Sequence, residues 1–196
     1  MRLHSFPLSK QYPFVPNPFF GYCTLAIGRT MVRKCAEVGD WIVVFGAVES
    51  DAQGKIVAMM CVDEVLTFDE YWEDERFLSK RPVFDKEDIY TYGDNIYHHA
   101  GFRWVQEASR FSESDEVTNR MNLKRDTQTN RVLIGTEFYY FGDNPIDLPS
   151  QAEALKAWIT GCTIYSEKKV VEALVEYVRT NYEVGMLGKV EFEERI

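Results

Sequence analysis

The sequence predicts an α+β fold: a mixed, mostly antiparallel, barrel-like sheet with peripheral helices. Three observations predict it. Asp40 to Val48 and Lys55 to Leu66 are rich in β-branched and aliphatic residues, and the turn cluster Ser50-Asp51-Ala52-Gln53-Gly54 separates them, which reads as a long antiparallel hairpin. Their apolar runs are nearly continuous, so both faces of the hairpin are expected to be covered. From Ser166 to Tyr182, Val170, Val171, Leu174, Val175 and Val178 form one apolar stripe at helical spacing.

The other elements follow in chain order. Pro7, Pro13, Pro16 and Pro18 lie among aromatics before Gly21, so this stretch is expected to be extended and to wrap the surface. Gly21 to Ile27 reads as a short strand and Arg29 to Ala36 as about two helical turns, with Gly39 as a stop. Thr67-Phe68-Asp69-Glu70 fits a capping box, flanked by Leu66 and Tyr71 as a hydrophobic staple, and predicts a helix to about Phe77. Gly93-Asp94-Asn95 is a turn signal within an aromatic stretch, and Phe102 to Glu107 reads as a strand. Ser109 to Asn130 is polar and reads as a long connection, the kind that forms binding loops or lids. Arg131 to Gly135 and Glu137 to Phe141 read as two short strands or one bulged strand. Ser150-Gln151-Ala152-Glu153 is a second capping box, opening a helix that stops near Gly161. The end, with Gly185, Gly188 and then Glu191 to Arg195, reads as a tail or an edge strand.

At 196 residues one domain is expected, with helices over 151–182 and a tail over 183–196. The formal charge of −9 argues against broad, sequence-blind binding to a phosphate backbone but leaves a local basic groove open. Glu49 to Asp88 holds 12 acids against 5 basic residues, whereas Arg103 to Arg131 holds 6 basic residues against 5 acids. A nucleic-acid face is therefore expected outside the acidic stretch, which is itself a surface a basic protein partner can meet. Cys23, Cys35, Cys61 and Cys162 form no Cys-x-x-Cys pair and read as free thiols of a reducing cytoplasm. The longest apolar run, Trp41 to Val48, is too short to span a bilayer, so no membrane partner is expected.

Phosphate-binding glycine loops, zinc-protease helices and serine-hydrolase elbows are absent. His98-His99 is a pair whose members point to opposite faces of a strand, so the two do not ligate one metal, and neither metal nor cofactor is expected. Cys23 with His98 is a formal nucleophile–base pair, although a buried strand cysteine is the commoner case. The carboxylate run Asp69, Glu70, Glu73, Asp74 and Glu75 fits the start of a helix, where the dipole favours negative charge. Asn17 and Tyr22, Trp41, Asp69, Tyr71 and Trp72, and Asp94, Asn95, Tyr97 and His98 are the candidate binding residues. Rings stack a base, and an amide or carboxylate reads its Watson–Crick edge.

The run Pro16-Asn17-Pro18-Phe19-Phe20-Gly21-Tyr22-Cys23-Thr24-Leu25-Ala26 resembles the opening motif of the second nucleotide-modification-associated domain family. Val38 to Gly46, Val62 to Trp72, Gly93-Asp94-Asn95-Ile96-Tyr97, and Val132 to Gly135 through Phe138 to Gly142 follow in order. The resemblance covers about residues 12–150. It implies a bacterial or bacteriophage protein linked to modified DNA bases, and it carries no set of catalytic residues. The Gly39-Asp40 strand and the strand ending Asp63-Glu64-Val65 also look like the EVE and ASCH domains, implying a PUA-like barrel with a pocket for an unusual base. The expected function is recognition of a modified base or nucleotide in an aromatic-lined pocket. The alternatives are an enzyme acting on nucleotides or bases through Asp69, Asp94 or His98, and an interaction protein with an acidic surface.

Overall fold

The computed structural model describes residues 1–9, 14–84, 88–114, 117–158 and 163–190. Pro13, Gly161 as a helix stop, Cys162 and the charged end from Glu191 lie outside the described residues. In chain order the strands and helices are β1 (Leu3–Pro7), β2 (Cys23–Leu25), α1 (Thr30–Cys35), β3 (Trp41–Phe45), β4 (Ile56–Cys61), β5 (Glu64–Leu66), α2 (Phe68–Glu73), α3 (Asp88–Thr91), β6 (Tyr97–Ala100), β7 (Arg103–Gln106), α4 (Arg120–Asp126), β8 (Val132–Gly135), β9 (Phe138–Tyr140), β10 (Thr163–Tyr165), α5 (Lys168–Asn181) and β11 (Gly185–Met186). Short 3₁₀ turns occupy Glu75–Lys80 and Ser150–Trp158.

The predicted hairpin is the centre of a six-stranded sheet ordered β10-β1-β3-β4-β9-β11. Most of its pairings are antiparallel, but β1 runs parallel to β3 (Leu3 opposite Trp41) and β11 parallel to β9. The sheet is open, so the expected barrel does not close. Its edge strands, β10 of three residues and β11 of two, are too short to join the two ends. Curvature comes instead from a shared corner. The bent β4–β5 segment pairs with β8–β9 on both sides of it, from Met60 opposite Phe138 to Glu64 opposite Ile134. The chain thereby passes from the large sheet to a small one ordered β2-β8-β5. The N-terminal stretch is also corrected. Its prolines begin at Pro7, so Leu3–Phe6 keep their amide donors and form an interior strand.

Alternation along β3 sets the two layers. Ile42 and Val44 join a core beneath the small sheet, with Phe68, Tyr71 and Phe77. Trp41, Val43 and Phe45 face the other way, where α5 lays down Val171, Leu174, Val175 and Val178. Each such side chain contributes roughly 1.5–3 kcal/mol by leaving water. The polar stretch 109–130 is not a bare loop: α4 starts at Asn119, whose side chain accepts from the Asn122 amide as an N-cap. The Ser150 segment forms 3₁₀ turns with a kink at Ala152 where a capped helix was expected.

Candidate functional site

Gly93 makes the first part of the site possible. A Cβ there would stand 2.1 Å from the Lys80 carbonyl oxygen, so only glycine lets the segment between α3 and β6 approach so closely. The approach carries Asp94 and Asn95 into the interior, where both are buried. The Asp94 carboxylate accepts from Thr24 Oγ1 at 2.7 Å and from the Tyr71 hydroxyl at 2.8 Å. Lys80, fully buried, donates to the Asn17 side-chain oxygen (2.8 Å) and to the backbone oxygens of Asn17 (2.9 Å) and Tyr22 (2.8 Å). Asn17 Nδ2 donates to the Tyr92 carbonyl, and Asn95 Nδ2 to that of Tyr71. Asn95 Oδ1 has no hydrogen-bond partner among the described residues.

Burial dominates the electrostatics of this network. It pulls Lys80 down to about 8, with the attraction of Asp94 opposing it. It pushes Asp94 up against the pull of Lys80 and the donors Thr24, Tyr71 and the Ala26 amide. The Cys23 thiol is pushed up to about 12 by the same burial, which leaves little thiolate for nucleophilic attack. His98 Nε2 is meanwhile engaged by Glu107, so Cys23 and His98 are not a nucleophile–base pair. Asn17, Tyr22, Asp94 and Asn95 thus come together, but as an interior brace whose polar groups largely satisfy each other. Tyr22 contributes its carbonyl and sets its ring edge-on to Phe77 at 5.1 Å.

The second part lies at the surface, where α2 meets the β6–β7 ribbon. The capping box forms as predicted, with Thr67 and Glu70 bonding reciprocally, and it aims Asp69 and Trp72, three residues apart, the same way. Asp69 accepts from the His99 amide and from His99 Nδ1, both at 2.7 Å. In the neutral ring this places the proton on Nδ1 and makes Nε2 the acceptor. Burial is the largest single influence on Asp69 and pushes it up, but the bonds and charge of His99, with His98 beyond it, together outweigh it and hold the carboxyl below its usual range. The His99 ring lies 3.7 Å from that of Trp104. On the other side of β6, His98 Nε2 donates to Glu107 Oε1 at 2.7 Å, and its ring stacks on Trp72 at 4.2 Å and 17°. The Arg81 guanidinium stands 3.6 Å from the Trp72 ring centre and also bonds the Trp72 carbonyl. Trp72 is thus packed against both the His98 ring and the Arg81 guanidinium. Arg81 Nε is buried with no hydrogen-bond partner among the described residues.

The remaining sequence candidates lie elsewhere. Trp41 is on the opposite face of the large sheet, stacked on Tyr139 at 6.4 Å and covered by Arg179. It therefore shares no cavity with Asn17, Trp72 and Asn95. Tyr97 is buried and donates to Asp126 at 3.0 Å, beside the fully buried Arg33. Sequence reading missed Lys80, Arg81, His99, Trp104 and Glu107. The histidine doublet was the available signal for His99, since a strand that turns one ring to Trp72 turns the next to the other side. Lys80 carried none: only folding reveals the three carbonyls around it.

Chemically, the surface part offers rings, two carboxylate–imidazole pairs and a guanidinium, groups that can bind a heterocycle and exchange protons with it. Among the described residues no group of three His, Cys, Asp or Glu side chains is placed to hold a metal ion. Among them, too, no helix is long and apolar enough to cross a membrane. Neither the curated proteins nor the solved structures give a match to this chain. The profile of the nucleotide modification associated domain 2 family matches residues 1–193, extending the likeness seen in the sequence through the C-terminal strands and α5. The chain belongs to the nucleotide modification associated domain 2 family.

Proposed function

We propose that this protein binds a modified base or a nucleotide at the junction of α2 with the β6–β7 ribbon. The observation that carries the reading is the Arg81–Trp72–His98 stack beside Glu107, with Arg81 Nε left unpaired inside it. A buried donor without an acceptor costs about 1–3 kcal/mol, which a ligand oxygen or ring nitrogen would relieve once the stack opens to admit it. The guanidinium plane stacks a base, Glu107 and Asp69 accept from its exocyclic amino groups, and His99 Nε2 accepts from a ring N–H. Asn17, Asp94 and Asn95 act from within, holding α2 against the sheet. The free thiols at Cys23, Cys35 and Cys61 suit a reducing cytoplasm.

Equilibrium titration against DNA carrying modified bases, unmodified DNA and free nucleotides tests this. Saturable binding with a preference for a modified base, weakened in His98→Ala, is expected. Equal or absent binding across the series would overturn it.

The Asp69–His99 pair favours a second reading, an enzyme that removes a proton from a base or nucleotide. A carboxylate that fixes the Nδ1 proton leaves Nε2 as a general base. His99→Ala would then abolish turnover of a nucleotide substrate while leaving the melting temperature unchanged. Turnover that survives this change excludes His99 as the base.

A further inference from the structure

The β6–β7 ribbon ends in Ala100-Gly101-Phe102-Arg103, which sets a phenyl ring at its tip. Phe102 is fully exposed, whereas Phe6, Phe14, Phe45, Phe68 and Phe77 are among the most deeply buried side chains. The tip is built to present it: Gly101 takes the left-handed conformation (φ 64°) that a tight two-strand turn needs. A single exposed apolar side chain is common on protein surfaces; what sets Phe102 apart is its place at the tip of a two-stranded ribbon.

The surroundings indicate a partner. Residues 97–106 contain Arg103 and no acid, in a chain of net charge −9; the nearest carboxylates, Glu107 and Asp69, are paired with His98 and His99 at the base of the ribbon rather than at its tip. Behind the ribbon, β7 packs on α4. Asn119, the residue that caps α4, donates its amide to the Gln106 side chain at 2.8 Å. That helix exposes Arg120, Met121 and Lys124, with Met121 83% exposed. A narrow ribbon tipped by one flat ring, with cations beside and behind it, matches a gap between stacked base pairs flanked by phosphates. Apolar wedges of this kind unstack base steps, and Lys and Arg neutralise the backbone alongside.

We propose that the β6–β7 hairpin is a wedge for duplex DNA, in which Phe102 enters the base stack and Arg103, Arg120 and Lys124 hold the phosphates. The proposal rests on the reading that the α2–ribbon junction takes a base, because the wedge and the junction share β6. Unstacking at the tip frees a base for His98 and His99, which lie within four residues of Phe102 on the same ribbon.

The test uses the whole protein and duplex DNA with 2-aminopurine at one step, with a free mononucleotide and anionic vesicles as separate arms. The wild-type protein is expected to raise 2-aminopurine fluorescence as the step unstacks. Phe102→Ala should abolish the rise and weaken duplex binding about tenfold, leaving mononucleotide binding unchanged. Phe102→Trp should restore the rise. Arg120→Glu with Lys124→Glu should weaken duplex binding and flatten its salt dependence. Mononucleotide binding without any duplex signal, or a Phe102→Ala effect confined to vesicles, overturns the wedge and leaves the base-binding reading standing. A duplex signal that depends on Phe102 without mononucleotide binding upholds the wedge and counts against the junction as a base site.

Discussion

Asp69 holds His99 twice, accepting from its backbone amide and from its ring Nδ1, each at 2.7 Å. One carboxylate thus fixes both where β6 lies and which ring nitrogen stays basic. In Asp69→Asn an amide oxygen still accepts one bond but the charge is lost. Nucleotide affinity is expected to fall about tenfold, since hydrogen bonds to charged groups contribute about 1.5–3 kcal/mol. The half-exposed position keeps the cost to folding below about 1 kcal/mol. Calorimetric titration and a thermal melt on the same sample check both halves; a large fall in melting temperature with affinity intact would make Asp69 purely structural.

Lys80 is the interior counterpart. Replacing it with Met fills much the same volume but leaves two backbone carbonyls and the Asn17 side-chain oxygen without their donor, and Asp94 without its neighbouring cation. A loss of about 3–5 kcal/mol is expected, read as a lower urea midpoint with an unchanged slope. A loss under about 1 kcal/mol would show that water replaces the ammonium there.

Acid stability should depend on Asp40. It accepts from the Arg2 backbone amide, from Arg2 Nε and NH2, from the Glu37 amide and from His4. Burial pushes Asp40 up, but these donors outweigh it and hold its carboxyl at about 2, below its ordinary 3.8. A depressed carboxyl stabilises the fold above its unfolded pKa, and that contribution is lost as pH falls through the folded value. The Asp40 contribution should therefore disappear between about pH 4 and 2. His4, buried and pulled below 6.5, acts in the same direction from higher pH, because the unfolded chain takes up its proton first. Asp40→Asn should cost about 1.5–3 kcal/mol at pH 7 and almost nothing at pH 2, measured by urea unfolding across that range. A constant cost at every pH would contradict the assignment.

The fold was legible wherever local chemistry decided it. The Thr67–Glu70 capping box, the β3–β4 hairpin and the α5 valine stripe were each set by neighbours in sequence, and each formed. The failures share one cause, contacts distant in sequence. Gly93-Asp94-Asn95 reads as a turn because those residue types favour turns, yet Gly93 serves a close approach to Lys80, 13 residues earlier. The α4 helix was hidden because its inward residues include Asn122 and Asp126, polar groups satisfied by the Phe111 carbonyl, Gly28 and Tyr97. Closure of the sheet depends on strands of two and three residues that carry no periodic signal. Of the candidate site, Asp69, Trp72 and His98 were visible as residue types, but their partners His99, Glu107 and Arg81 emerge only where α2 crosses the ribbon.

The histidines give the most direct measurement of the central claim, because the chain has only three. His98 and His99 lie at the junction, and His4 is buried beside Asp40, away from it. Ring resonances of the three can be followed by NMR while a nucleotide or a short DNA carrying a modified base is added. Saturable shifts at His98 and His99 with His4 unmoved are the predicted result. Saturable binding that leaves both junction rings unmoved would place the ligand elsewhere and contradict the account.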